Sequence, residues 1–173
     1  MRILIAGFGG QGVLFVGKVL ANIGMIVGKE VTWLPSYGPE MRGGTANCGV
    51  VLSDDPIGSP LVNKPDALLP MNNPSLAKFE RTVVPGGLII PDSTLVTDAP
   101  IRDDVKITPV PATALADRHD LKGFANMIVL GRLLKETALC TQAQLEEAMK
   151  QSIPARKQDL LAPNLKALAL GLE

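Results

Sequence analysis

Two short stretches of this chain carry residue types with the means to do chemistry. The first is Gly7-Phe8-Gly9-Gly10-Gln11-Gly12, which contains the spacing Gly-x-Gly-x-x-Gly at Gly7, Gly9 and Gly12. Glycines let the backbone turn tightly and approach a ligand closely. A helix that opens after such a turn offers unpartnered N–H groups to an anion. Gly7, Gly9, Gly10, Gln11 and Gly12 are therefore candidate cofactor-binding residues, with Gly9 expected where the backbone turns sharply. The second stretch is Tyr37-Gly38-Pro39-Glu40-Met41-Arg42-Gly43-Gly44, a loop with an acid and a base two positions apart. Glu40 and Arg42 are the candidate catalytic residues. Arg42 offers a planar fork to a carboxylate or phosphate, and Glu40 can orient it or accept from a neighbouring chain. Each stretch also has a purely structural reading: glycines that only let a helix pack on a strand, and an ordinary Arg–Glu ion pair.

Three kinds of chemistry are poorly served. A dinucleotide site wants a carboxylate at the end of the second strand, but Glu30 precedes that strand, which ends in Pro35-Ser36. No Gly-Lys-Ser/Thr follows the glycines, as a Walker-type phosphate loop would need. With two cysteines, Cys48 and Cys140, and one histidine, His119, the chain is short of ligands for an iron–sulfur cluster or structural zinc, so no metal site is expected. His119 lies among charges in Ala-Asp-Arg-His-Asp and reads as a surface residue. Cys48 reads as a small buried hydrophobe, and Trp33, the one tryptophan, as core. Met41 is unusual for a solvated turn and suits contact with a partner or a ligand channel.

These stretches must be positioned by regular elements. Residues 2–6 read as a buried strand, and 13–27 as a helix from the spacing of their apolar positions. Residues 31–35 and 45–53 read as strands. The connection 36–44 is too short for the crossover that adjacent parallel strands require, so these two are expected to pair antiparallel. Short strands follow at 66–69, 88–90 and 105–110, the last an edge strand because of Pro109. Asn73-Pro74 is expected to cap and start a helix. Residues 121–137 form a strong amphipathic helix, Thr141 with Gln144 a capping box, and 163–170 a last helix. The prediction is one α/β domain over 1–173. It has a mixed, mostly parallel sheet flanked by helices, a Rossmann-like glycine turn after the first strand, and a helical C-terminal part.

A length of 173 residues with 46% hydrophobic content supports a proper core. Lysine plus arginine and aspartate plus glutamate both number 17, so no net field draws in nucleic acid or an anionic membrane. A glycine cluster so near Met1 argues against a signal peptide, and no apolar run reaches membrane length; a cytoplasmic location is expected.

Taken together, the chain resembles the gamma subunit of 2-oxoacid:ferredoxin oxidoreductases. The resemblance rests on Gly7–Gly12 with Gln11, the loop at 36–44, and the small-residue strand at 45–51. It continues through Lys122-Gly123, Asn126-Met127 and Leu130-Gly131, and ends in Pro163-Asn164-Leu165-Lys166-Ala167 before Gly171. It implies an α/β subunit of a multisubunit complex that converts a 2-oxoacid, coenzyme A and oxidised ferredoxin to acyl-coenzyme A, carbon dioxide and reduced ferredoxin. Thiamine diphosphate, magnesium and the iron–sulfur clusters would belong to alpha and beta partners, with or without a delta subunit, and this chain alone would be inactive. The loop form is more similar to the 2-oxoglutarate and branched-chain 2-oxoacid members than to the pyruvate ones. In isolation the chain is expected to be able to self-associate. The rival readings are a free-standing nucleotide-binding protein and a purely structural subunit.

Overall fold

The structure, a computed structural model, describes residues 1–36 and 46–173. Six strands run over Arg2–Gly7 (β1), Glu30–Ser36 (β2), Ala46–Ser53 (β3), Ala67–Pro70 (β4), Leu88–Ile89 (β5) and Lys106–Ile107 (β6). Six helices cover Val13–Ile26 (α1), Asn73–Phe79 (α2), Ala112–Arg118 (α3), Ala125–Thr137 (α4), Gln142–Ser152 (α5) and Leu161–Leu172 (α6). No described helix is long and apolar enough to cross a membrane.

The strands form one sheet in the order β2-β3-β1-β4-β5-β6. β2 and β3 pair antiparallel, as their short connection requires, and β3 is also antiparallel to β1. β1, β4, β5 and β6 follow one another in parallel. Only β3 is reversed, so the sheet is mixed and mostly parallel, and β6 is an edge as expected.

The two faces of the sheet are covered unequally. Ile3, Ile5, Cys48, Val50 and Leu69 point into a large core shared with α1 and with α3 to α6. Leu4, Leu68 and Ile89 point the other way, into a smaller cluster closed by Leu76, Val83 and Val96. Each fully buried Leu or Ile side chain contributes about 1.5–3 kcal/mol through removal of apolar surface from water.

Local chemistry sets the helix ends. Thr141 and Gln144 form the expected capping box of α5. The cap of α2 is Asn72, not Asn73: Asn72 is extended, and its side chain accepts from Ser75 N at 2.9 Å. Asn73 is already helical and is used elsewhere, its Oδ1 accepting from Thr97 N at 2.8 Å. α4 begins at Ala125 rather than residue 121, because Asp120 and Gly123 adopt φ of 56° and 88° and break the helix there. Trp33 is not core; β2 is the outermost strand, and the indole, though it lies against Gly17 of α1, is 40% exposed. His119 is half-buried at the end of α3, where its carbonyl accepts from Lys166 Nζ at 3.4 Å.

α6 lies against α4 with almost no space between the two backbones. A Cβ on Gly131 would fall 2.3 Å from the Leu168 carbonyl oxygen, and one on Gly171 would fall 2.1 Å from that of Ile128. Only glycine permits so close a crossing.

Candidate functional site

β1 ends in Gly7, buried where a Cβ would meet Gln11 Oε1 at 2.8 Å and Met71 Cβ at 3.0 Å. The backbone then leaves the sheet, with the Phe8 side chain 42% exposed, and re-enters as α1. The positive backbone angles fall at Gly10 (φ 93°) and Gly12 (φ 74°). Gly9 has neither a positive φ nor any heavy atom within 4 Å of an added Cβ, so the sharp turn expected there lies at its neighbours.

Gln11 organises the turn from within. Its Oε1 accepts from Phe8 N at 2.6 Å and from Asn72 Nδ2 at 3.0 Å, while its Nε2 donates to the Met71 carbonyl at 3.0 Å. Both ends of this carboxamide are therefore engaged inside the chain. Gly12 is held from the other side by Asn126, which donates to the Gly12 carbonyl at 3.3 Å. Asn72 and Asn126 are only 5% and 6% exposed.

The remaining N–H groups of the turn are not used within it. Among the described residues, the N–H groups of Gly9, Gly10, Gly12, Val13 and Leu14 have no acceptor. The first turn of α1 contains no acidic residue, and Gly12 supplies no side-chain cap. Among the described residues nothing compensates the positive end of this helix, a setting that favours an anion. A hollow of about 410 Å³ opens here, lined by Phe8, Gly9, Gly10, Val13, Phe15 and Ala46 among others. Its walls are apolar side chains and backbone, which suits a ligand that is part apolar and part anionic.

β3 begins at this same end of the sheet, where Gly7 pairs with Ala46 and Ser36 with Asn47. Glu40 and Arg42 lie in the segment between Ser36 and Ala46, outside the described residues. Of the two described residues flanking that segment, Ala46 pairs beside Gly7 and Ser36 lies one strand further out. The reversed β3 sits between β1 and β2, so β2 is one strand removed from the turn. A carboxylate at its end would be displaced by about 4.8 Å from the ribose position of a dinucleotide fold.

The cysteines do not fit a metal cluster. Cys48 is fully buried, and burial pushes its thiol up to about 12. Cys140 is half-buried, just before α5, and its thiol is also raised by burial. Among the described residues no group of three or more His, Cys, Asp or Glu side chains converges on a metal position.

Sequence reasoning found the glycine turn but not Asn72 or Met71. They lie far along the chain and reach the turn only because β4 pairs beside β1. Asn126 belongs to a stretch already noted in the family resemblance, without a role.

An α/β domain of this topology, with an open glycine turn at the strand end, has close counterparts. The chain belongs to the pyruvate ferredoxin/flavodoxin oxidoreductase family, whose description matches residues 2–173. It is 40% identical over 176 residues to the ketoisovalerate oxidoreductase subunit VorA of Methanothermobacter thermautotrophicus. That match takes in all of this chain but 36% of VorA, so the chain spans about a third of that relative's length. It is 34% identical to the 2-oxoglutarate synthase subunit KorC of Methanocaldococcus jannaschii, covering 99% of this chain and 92% of KorC. The fold superposes with a TM-score of 0.84 on a keto/oxoacid ferredoxin oxidoreductase gamma subunit from Geobacter sulfurreducens, at 28% identity, covering 99% and 95% of the two chains. The same fold recurs in the 2-oxoglutarate:ferredoxin oxidoreductase of Magnetococcus marinus, solved with 2-oxoglutarate, coenzyme A and succinyl-CoA. There the TM-score is 0.85 at 24% identity, covering 99% of this chain and 30% of the other.

Proposed function

We propose that this chain is the gamma subunit of a cytoplasmic 2-oxoacid:ferredoxin oxidoreductase of the 2-oxoglutarate or branched-chain type. It works with alpha and beta subunits, and with a delta subunit where one is present. Its partners supply thiamine diphosphate, magnesium and the iron–sulfur clusters, and ferredoxin meets the complex through them. The observation that carries this reading is the match over nearly the whole chain to KorC, a subunit of similar length.

Within the complex the role of this chain is to hold and orient. The unused N–H groups of the glycine turn, at the positive end of α1, suit the phosphate of coenzyme A, and the apolar wall of the hollow suits its uncharged parts. Arg42 and Glu40, in the segment that joins β2 to β3, are proposed to complete the seat, Arg42 as a fork for a carboxylate or phosphate. The partners' cofactor supplies decarboxylation and electron transfer; this chain orients the thiol donor and excludes water.

Co-expression with candidate alpha and beta chains is the test. The chain should copurify with them, and the assembly should reduce ferredoxin or a viologen dye only with coenzyme A and a 2-oxoacid. A panel of 2-oxoglutarate, ketoisovalerate and pyruvate then ranks the substrates. In that assembly Arg42→Ala should lower turnover about tenfold or more, with the melting temperature of the isolated chain little changed. A chain that stays alone and is stabilised by a nucleotide would refute the proposal.

A further inference from the structure

The glycine turn and the α2 cap are joined by a series of side-chain amides with one possible polarity. Ser75 N donates to Asn72 Oδ1 at 2.9 Å, and this fixes which way the Asn72 carboxamide points. Its Nδ2 must then face Gln11, where it donates to Oε1 at 3.0 Å. Gln11 in turn must present its Nε2 to the Met71 carbonyl, at 3.0 Å. With its orientation set, Gln11 Oε1 draws the Phe8 N–H inward at 2.6 Å. The next N–H groups, those of the exposed Gly9 and Gly10, are left without an acceptor among the described residues. Flipping either amide would set donor against donor or acceptor against acceptor in a site where Asn72 is 5% exposed.

We propose that Asn72 is a positioning residue for the coenzyme-facing turn, acting through Gln11 to fix which backbone N–H groups of Phe8–Gly10 are held inside the turn and which are left to a ligand. This rests on the reading of the turn as the seat of a coenzyme phosphate. Asn72 touches no ligand. It makes the glycine turn rigid before the anion arrives, so the ligand does not have to order the turn on binding.

Asn72 has two separable duties, and substitution can divide them. Serine and aspartate both remain good helix caps, so Asn72→Ser and Asn72→Asp keep the bond from Ser75 N. Neither donates to Gln11 as the amide does: serine is too short, and aspartate opposes one acceptor with another. The measurements are made on the assembled complex: thermal melting, steady-state kinetics in coenzyme A, and calorimetric titration of the resting complex with coenzyme A. Asn72→Ser should melt within about 2 °C of wild type. Its KM and Kd for coenzyme A should rise about tenfold, with a much smaller change in kcat. Asn72→Asp should raise both constants further, since it adds a negative charge beside an anion seat. Gln11→Ala should raise them too, and Asn72→Ser added to Gln11→Ala should add little, because both substitutions break the same relay. If Asn72→Ser binds coenzyme A as wild type does, or only melts earlier, Asn72 is just a helix cap and the proposal fails. If the wild-type complex neither binds nor needs coenzyme A, the reading of the turn fails first; wild type and variant together tell the two failures apart.

Discussion

The Asn126 carboxamide donates to the Gly12 carbonyl at 3.3 Å, and its nitrogen stands 2.3 Å from the point where a Cβ on Gly12 would fall. The start of α1 is thereby joined to the start of α4, and the contact exists only because position 12 has no side chain. Gly12 also holds φ at 74°, a left-handed conformation that L-residues adopt at a cost. Gly12→Ala is expected to lose about 1–3 kcal/mol, several degrees of melting temperature for a chain of this length. Gly9→Ala, three positions earlier, should stay within about 0.5 kcal/mol of wild type, since it meets neither a positive φ nor a neighbour. Thermal melts of the two variants side by side check the contrast.

The α4–α6 crossing should be the most size-sensitive place in the helical layer. Gly131→Ala sets a methyl against the Leu168 carbonyl oxygen, a backbone atom that cannot rotate away. The helices must separate, which uncovers Ile128, Leu133 and Leu168, all buried in the main core. A loss of about 3 kcal/mol or more is expected, together with earlier proteolytic cleavage in the segment before α6. Gly28→Ala is a useful contrast: Gly28 has a positive φ of 77°, which Gly131 lacks, but an added Cβ there meets no neighbour within 4 Å, so the substitution should cost less.

Cys48 and Cys140 should behave as different thiols. Cys48 is fully buried and its thiol is raised to about 12, so in the folded protein it should resist alkylation while the half-buried Cys140 reacts first. The pH dependence follows from the direction of the Cys48 shift. Its folded pKa lies above the unfolded value, so the unfolded chain loses this proton first. Stability is fully retained below the ordinary thiol range and falls as pH rises from about 9 towards 12. Cys48→Ser should flatten that part of the alkaline stability curve. Mass spectrometry after timed alkylation, and denaturant melts against pH, measure the two effects.

The sequence made the local elements legible and left the long-range ones dark. The α5 cap could be read because Thr141 and Gln144 are three positions apart and the capping box is self-contained. The antiparallel pairing of β2 with β3 followed from the length of the connection alone. α3 went unforeseen because its seven residues follow Thr-Pro-Val-Pro, which reads as extended, and carry only a short apolar pattern. Trp33 was misplaced because strand propensity says nothing about whether a strand is central or at an edge. The link from Asn72 to Gln11 spans 61 positions, and no spacing rule encodes it. The glycine turn was legible as a motif, but not which glycine bears the strain. That depends on Asn126, brought in from the other end of the chain.

The reversal of β3 also bears on the order in which this molecule is able to assemble. β1, α1 and β2 look like a self-sufficient unit, yet β1 and β2 share no ladder; a strand-wide gap separates them until β3 fills it. A folding chain that has made only its first 36 residues therefore has no sheet to close. β2 and β3 can pair locally, but their ladder shelters little until it meets β1, with which β3 must register from Arg2 to Gly7. The step that commits the chain should then be the arrival of this two-stranded ribbon on β1, a contact between segments some fifty positions apart (Arg2 with Val51). The glycine turn takes its final shape later still, when β4 pairs beside β1 and brings Met71 and Asn72 to Gln11.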